Sequence, residues 1–555
     1  VTQEPTPEPT PEDAEQPWER LDPRMLLVHP FRQLGPLLPL LVPVVVAGRA
    51  LSGPFNAPWE LLGLLVVAGT GVWSYLTTEY RLGPERVELR RGLLARRVLT
   101  APLDRVRTVD LSSTLVHRLL GLASVRIGTG TSADGSGLEL DGLRTARAEA
   151  LRRSLLERAA LARAEADGPD NGDAEPTADL QADLSTEPSP ALPADRPPTT
   201  VLRLDPRWAR YAPLSMAGLA LSGVVVGGGS QVVVPVLQAL GINPRPEWLP
   251  HTWSGAVALT VLLLLVVLVA VPVLAALGYL ATSWGLVLTR EAGPRGDVWR
   301  LRRGLLTTRE TTLDAARVSG VVLSAPVGLR AVGAGRLEAM TTGLDREDRG
   351  TLELVPPAPA AVLRTTGAAV LDDPDPLDRL DAGLARHGAA ATRRRWRRTL
   401  TPLLVVAPVA LVVPLLLPHA TPGVLLDGLR LGVPVACAVL LLPAAWLARS
   451  RARALGHALT ERHLVARQGS LVQRTHVLDL DHVIGWTWRD SWFQRRAGLV
   501  SLDATTAGGP QRVTVLDVPE DVAVALALRA QPGLLEPFTQ VTGPEEGRGA
   551  NAPVR

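Results

Sequence analysis

Residues 90–129 read RRGLLARRVLTAPLDRVRTVDLSSTLVHRLLGLASVRIGT. Gly92 opens the pattern; Arg118 follows 26 residues later, Gly121 at 29 and Thr129 at 37. The same residue types recur without a gap at Gly304, Arg330, Gly333 and Thr341, and again at Gly469, Arg495, Gly498 and Thr506. A spacing carried three times means one structural unit written three times, and it decides the fold before any single element does. Each copy lies behind a pair of apolar runs. Arg20-Leu21-Asp22-Pro23-Arg24 opens the first repeat, Arg203-Leu204-Asp205-Pro206-Arg207 the second, and Arg379-Leu380-Asp381 is a partial echo before the third.

Within each repeat the polar part reads as β structure. Tyr80, Leu82, Val87 and Leu89 partly alternate with polar residues up to Gly92, the period-2 signature of a half-buried strand. Further strands pass through Val98 and through Val106 and Val109. The third repeat matches with His463–Ala466, Gly469, Val477–Leu480 and Val483-Ile484. After the second Gly comes a strand in every copy: Val125–Thr129, Leu337–Thr341 and Leu502–Thr506. A helix then closes each copy, at 143–163, 358–371 and 519–530. In the first, Leu151, Leu155, Leu156 and Ala159 form an apolar stripe. In the third, Asp517 is placed to cap, with Pro519, Glu520 and Asp521 in the first turn.

The apolar residues fall in runs at 34–51, 58–77, 212–240, 254–281, 400–418 and 424–447. A helix of about 20 residues crosses a hydrocarbon core, so these runs predict six transmembrane helices in three hairpins. Mean hydropathy is positive, at +0.16. Pro36, Pro39 and Pro43 interrupt the first run, which is tolerable where neighbouring helices satisfy the backbone. The chain has no Lys, and its Arg residues crowd the outer flanks of the hairpins, as at Arg393–Arg395, Arg397 and Arg398. The positive-inside rule then places both termini and all three polar domains in the cytoplasm. Trp73, Trp284, Trp396 and Trp446 stand near run ends, as interfacial aromatics do. TPEPTPEDAE at 6–15 is acidic, unlike the charged start of a signal peptide. The pI near 9.5 reflects Arg beside the membrane and calls for anionic lipid, not nucleic acid. The lone Cys437 lies in an apolar run and reads as a packing residue.

The order of features in RRGLLARRVLTAPLDRVRTVDL followed by HRLLGLASVRIGTGT resembles the second type of bacterial pleckstrin-homology-like (PH-like) domain. Repeated behind hairpins, it resembles the YdbT-like membrane proteins. The resemblance implies three PH-like barrels or sandwiches, each closed by a C-terminal helix. The expected division is 1–17 a disordered acidic start, 18–78 hairpin 1, 79–163 PH-like domain 1 and 164–199 a disordered linker. It continues with 200–282 hairpin 2, 283–373 PH-like domain 2, 374–455 hairpin 3, 456–533 PH-like domain 3 and 534–555 a tail. It also implies a non-enzymatic scaffold of the cytoplasmic membrane, with membrane lipids and a smaller one-domain sister protein as partners. Envelope stress or tolerance of membrane-active peptides is the process it suggests. A homo- or hetero-oligomer stays open.

The repeated Arg118, Arg330 and Arg495 are the leading site candidates. Two chemistries fit. A guanidinium before a tight turn can hold a phosphate or carboxylate bidentately; it can equally cap loop carbonyls or pair with a carboxylate. Gly92, Gly121, Gly304, Gly333, Gly469 and Gly498 read as turn glycines that define the repeat. Trp486, Trp488, Trp492 and Phe493 cluster in the third repeat; part of that cluster fills core, while Trp488 with Arg489 is a candidate contact for lipid or partner. No P-loop, G-x-S-x-G or H-E-x-x-H occurs, and the scattered His lack metal-ligand spacing, so no catalytic residue, metal or cofactor is assigned. Two other classes compete. A lipid or peptide exporter would need a polar stripe along its helices. A lipid-metabolising enzyme would need paired carboxylates, and Asp104 and Asp110 are unmatched at Ala316 and Val322 of the second repeat.

Overall fold

The computed structural model describes residues 18–25, 78–82, 86–91, 97–102, 108–128, 138–166, 197–215, 217, 218, 220, 252–293, 296–342, 350–416 and 424–532. The chain divides into two compact units, Val1–Val318 with Thr341–Ala358, and Ser319–Met340 with Pro359–Arg555. The division runs through the second repeat.

In the first unit, β1 (Glu19–Arg20), β2 (Glu79–Leu82), β3 (Arg86–Arg91) and β4 (Arg97–Pro102) form an antiparallel sheet in that order. Then come β5 (Thr108–Thr114), the short helix α1 (Leu115–Leu120), β6 (Leu122–Gly128), β7 (Leu138–Arg144) and helix α2 (Thr145–Ala166). The second repeat starts with β8 (Thr199–Arg203), a 3-10 segment at Pro206–Leu214, helix α3 (Trp253–Ser283), β9 (Val287–Gly293), β10 (Gly296–Arg303) and β11 (Thr307–Asp314). The strands do not segregate by repeat: the larger sheet runs β7-β6-β5-β11-β10-β9-β8, with β5 of repeat 1 joined to β11 of repeat 2. Thr114 starts α1 by accepting the His117 amide on its hydroxyl, and Gly121 ends it in the left-handed region. The core of repeat 1 brings Tyr80, Val87 and Leu89 of the first sheet against Val109, Val125, Ile127, Leu138 and Leu140 of the second. Ala148, Leu151 and Leu155 of α2 close it. Each such buried Leu contributes on the order of 2 kcal/mol.

The second unit holds β12 (Val318–Pro326), helix α4 (Val327–Ala331) and β13 (Ala334–Thr341). After β14 (Thr351–Pro359), which falls almost wholly in the first unit, come helices α5 (Ala360–Leu371), α6 (Asp375–Ala382), α7 (Gly388–Leu416) and α8 (Val424–Ala454). The third repeat supplies β15 (Gly456–Leu459), β16 (His463–Gln468), β17 (Val472–Asp479), β18 (Val483–Arg489), helix α9 (Trp492–Arg495), β19 (Leu499–Thr506), β20 (Arg512–Pro519) and helix α10 (Glu520–Ala530). One sheet runs β13-β12-β17-β16-β15 and another β18-β19-β20. Leu464, Leu478, Leu502, Val513 and Val515 pack with Ala523 and Leu526 of α10, and Val322 and Met340 of repeat 2 join them.

The six-helix expectation does not hold. Among the described residues the elements are mostly β-sheet, and one helix, Trp253–Ser283, is long and apolar enough to cross a membrane. Helix α7 opens with the Arg393–Arg398 cluster, and α8 carries Asp427 and Arg430 near its start and Arg449, Arg451 and Arg453 at its end. The runs 34–51, 58–77 and nearly all of 212–240 lie outside the described residues, as do Trp73, Gly92, Asp104 and Thr129. Two smaller corrections follow. The run from Tyr80 to Leu89 is two strands, β2 and β3, paired antiparallel with Leu82 opposite Val87. Asp517 caps nothing: Pro519 takes the N-cap of α10, and Asp517 is fully buried.

Candidate functional site

The repeated Arg residues stand where one repeat meets the next. Arg118 donates to the Leu305 carbonyl and, at 3.5 Å, to Thr308 Oγ1. Arg330 donates to the Ser470 carbonyl and to Gln473 Oε1, both at 3.1 Å, and to Ser450 Oγ at 3.5 Å. Leu305 and Ser470 hold the same place in the pattern, one residue after Gly304 and Gly469, as do Thr308 and Gln473. So in two copies the guanidinium clasps the β-turn of the following repeat. That turn needs glycine: a Cβ would lie 1.9 Å from the Thr307 carbonyl oxygen at Gly304 and 2.1 Å from that of Val472 at Gly469. Arg495, the third copy, instead pairs with Asp490 at 3.0 Å, its side chain 61% exposed. Gly121, Gly333 and Gly498 place the three Arg alike, each taking positive φ just beyond the short helix or turn that carries the Arg.

The strand pairing at the two junctions shares one register. Thr307 faces Thr114 and Glu310 faces Leu111; in the second junction Val472 faces Pro326 and Thr475 faces Leu323. These are the same positions of the repeat, so the junction belongs to the repeated unit itself.

Two basic cavities lie in the second unit. The larger, about 1410 Å³, is lined by Arg393, Arg394, Arg397, Arg398 and Arg496, with Trp488 and Phe493 as aromatic walls. Arg393, Arg397 and Arg398 are exposed. Phe493 is 69% and Trp492 58% exposed, so these rings fill no core; Trp486 does, half-buried with its indole N–H on Gln531. Arg489 bonds the buried Asp503, whose other oxygen accepts from Thr514; that bond raises the Arg489 guanidinium above its ordinary value. The smaller cavity, about 310 Å³, collects Arg330, Arg449, Arg453 and Arg467 beside Trp446. Burial, reinforced by the neighbouring charge of Arg330, lowers the pKa of Arg467. Clustered guanidiniums beside an indole suit a multivalent anion such as a phosphate.

Sequence reading missed a buried polar network at the base of the larger cavity. Asp517, fully buried with φ 54°, accepts from Arg394 at 2.7 Å and from Gln494 at 2.8 Å and pairs with Arg395. Beside it His387 Nδ1 meets the Leu516 carbonyl at 2.8 Å, and its Nε2 lies 3.0 Å from His457 Nδ1. Burial, helped by His387, lowers His457 to about 4. Burial and Arg474 do the same for His476. The only signal in the sequence was the Arg run itself, which reads as a membrane flank. No group of three or more metal-ligating side chains occurs among the described residues.

The family model described as Bacterial PH domain matches residues 36–159, 232–369 and 404–531, together more than half of the chain. The three matches coincide with the three repeats. No curated protein and no solved structure matches.

Proposed function

We propose, from the premise that the chain belongs to the bacterial PH domain family, that it is a membrane-anchored interaction scaffold. Domains of this family are in general interaction modules without catalysis, which supports the non-enzymatic reading. The observation that carries the membrane part is helix α3. It is 31 residues long, and only 6% of its most apolar stretch is buried. Leu262, Leu264, Leu265, Leu268 and Val269 are each more than half exposed, whereas the core helix of a soluble domain would bury them. Its end runs through Trp284 directly into β9. The two Arg-lined cavities favour anionic lipid head groups as the ligand, each Arg near a charged surface adding about 1 kcal/mol. A cytoplasmic-membrane location, a one-domain sister protein and a role in envelope stress or membrane-active peptide tolerance complete the proposal on the strength of the resemblance.

Alkaline carbonate washing of native membranes tests the anchor. Retention of the full chain in the pellet, and its release by Leu264→Asp/Leu265→Asp, is expected; release of the wild type would sink the anchor. Flotation with vesicles of anionic and of neutral lipid tests the ligand. The Arg393→Ala/Arg397→Ala/Arg398→Ala variant leaves Asp517 paired and is expected to lose anionic-vesicle binding by about tenfold or more, steeply with salt.

A further inference from the structure

Within the chain, the strand that follows the first turn glycine of one repeat (β11, β17) pairs with the strand just before the repeated Arg of the preceding repeat (β5, β12), twice, in one register. The repeat therefore carries two complementary edges. Among the described residues, one strand of each kind stands at a sheet edge. β4, the counterpart of β11 and β17, ends the sheet β1-β2-β3-β4; β18, the counterpart of β5 and β12, ends the sheet β18-β19-β20. Glycine geometry marks the difference. A Cβ at Gly320 on β12 would lie 2.1 Å from the Val477 carbonyl oxygen of the paired strand. At Gly485, the same position on β18, no atom lies within 4 Å. Trp488 and Ile484 on β18 are 38% and 64% exposed, and Val98 on β4 is 50% exposed. At the matching place in the second junction, Thr475 opposite Leu323 is 6% exposed.

We infer that a second copy of this chain docks its β4 on β18, so that copies join head to tail through the pairing that already joins the repeats. Carrying over the observed register sets Val98 opposite Trp488, Leu99 opposite Thr487, Thr100 opposite Trp486 and Ala101 opposite Gly485. An exposed strand edge is a template for another strand, and main-chain hydrogen bonds supply the affinity. The contact is heterologous, one edge of each kind per copy, so it builds a ring or a filament. The register also sets Arg97 opposite Arg489, where the internal junctions have Arg309 opposite Ser112 and Arg474 opposite Ser324. Like charges directly opposite destabilise a pair, but Arg489 is already neutralised by Asp503. The third contact is therefore weaker than the other two and reversible.

Full-length chains in a Cys437→Ser background, one carrying Val98→Cys and the other Trp488→Cys, are purified in mild detergent, mixed and treated with a short bifunctional thiol reagent. A cross-linked dimer that needs both chains is expected, at least about fivefold above the pair Leu99→Cys with Trp488→Cys, whose side chains point to opposite faces. Mass measurement across concentration is expected to show multiples of one copy. Val98→Glu, at an exposed position, is expected to reduce it to a single copy with unchanged thermal unfolding. A single mass at every concentration with no register-specific cross-link would overturn the inference and make the Arg97–Arg489 opposition a guard against edge pairing. Equal cross-linking in both registers, or assembly unaffected by Val98→Glu, would overturn it as well. None of these readouts depends on membrane attachment.

Discussion

Arg330 and Arg495 occupy one position of the same repeat and live in different surroundings. Arg330 holds a carbonyl and a side chain of the next repeat, within a cavity of other guanidiniums. Arg495 is largely in solvent with an acidic neighbour five residues away. Likewise Gly320 is pressed against a neighbouring strand, and Gly485 is open. The repeat thus encodes its own junction, and a residue's role depends on whether another repeat follows. Substitutions at the paired glycines, acid, and truncation of the three Arg each test this contrast.

The largest contrast is between the glycines. Gly320→Ala puts a methyl group against a backbone oxygen that cannot move without opening the β12–β17 ladder. Overpacking of this kind costs about 1–3 kcal/mol, and leaving ladder groups unsatisfied adds to it, so a loss of about 3 kcal/mol or more is expected in denaturant unfolding. Gly485→Ala meets nothing and is expected within about 0.5 kcal/mol of wild type at concentrations where the chain is a single copy. Equal effects would mean the two positions are not equivalent.

Acid should separate the two junctions. His476 lies on β17, opposite Val322, buried, and its pKa is lowered to about 4. At that place the first junction has Thr311, which does not titrate. The unfolded chain binds a proton near its ordinary value of 6.5, while the folded one does not until about 4. The stabilisation is therefore complete above about pH 6.5 and is lost as pH falls toward about 4. Near pH 5 this amounts to about 2 kcal/mol. Asp479 and Asp373 lie near His463, whereas the charge beside His476 is that of Arg474, which disfavours its protonation further. Amide hydrogen exchange at pH 7 and pH 5 should show β12 and β17 losing protection before β5 and β11. His476→Gln should reduce the difference, with the remainder left to His457 on β15, which burial lowers likewise.

Much of this was legible in the sequence, and the part that was not has a common cause. The repeat, its turn glycines and its closing helices follow from local rules, and 358–371 and 519–530 match Ala360–Leu371 and Glu520–Ala530 within two residues. The pairing of β5 with β11 and of β12 with β17 could not be read, because periodicity tells which face of a strand is buried and says nothing of what lies at its edge. The same blindness hid Asp517: a residue before a helix looks like a cap, and only the tertiary fold brings Arg394 and Arg395 to it across more than 120 residues. The six-helix expectation erred differently. It counted apolar runs by length and composition, and among the described residues α3 is the one helix that meets that measure.

The smallest expected effects belong to the Arg series, and their order is the sharpest check on the roles. Arg330→Ala removes a charged donor from the Ser470 carbonyl, which normally costs about 1.5–3 kcal/mol. Arg449, Arg453 and Arg467 line the same cavity, and relief of their mutual repulsion offsets part of that, leaving about 1 kcal/mol. Arg118→Ala breaks an equivalent clasp at a more exposed place and should cost somewhat less. Arg495→Ala removes only a solvent-exposed ion pair, and no change in single-copy stability beyond about 0.5 kcal/mol is expected. Denaturant midpoints for the three single variants test the ranking. If all three cost the same, the Arg serves its own repeat and not the junction. If Arg495→Ala is silent in the single copy yet lowers the fraction of assembled copies, the clasp is a property of the contact, and the third Arg waits for a neighbour of the kind the first two already have.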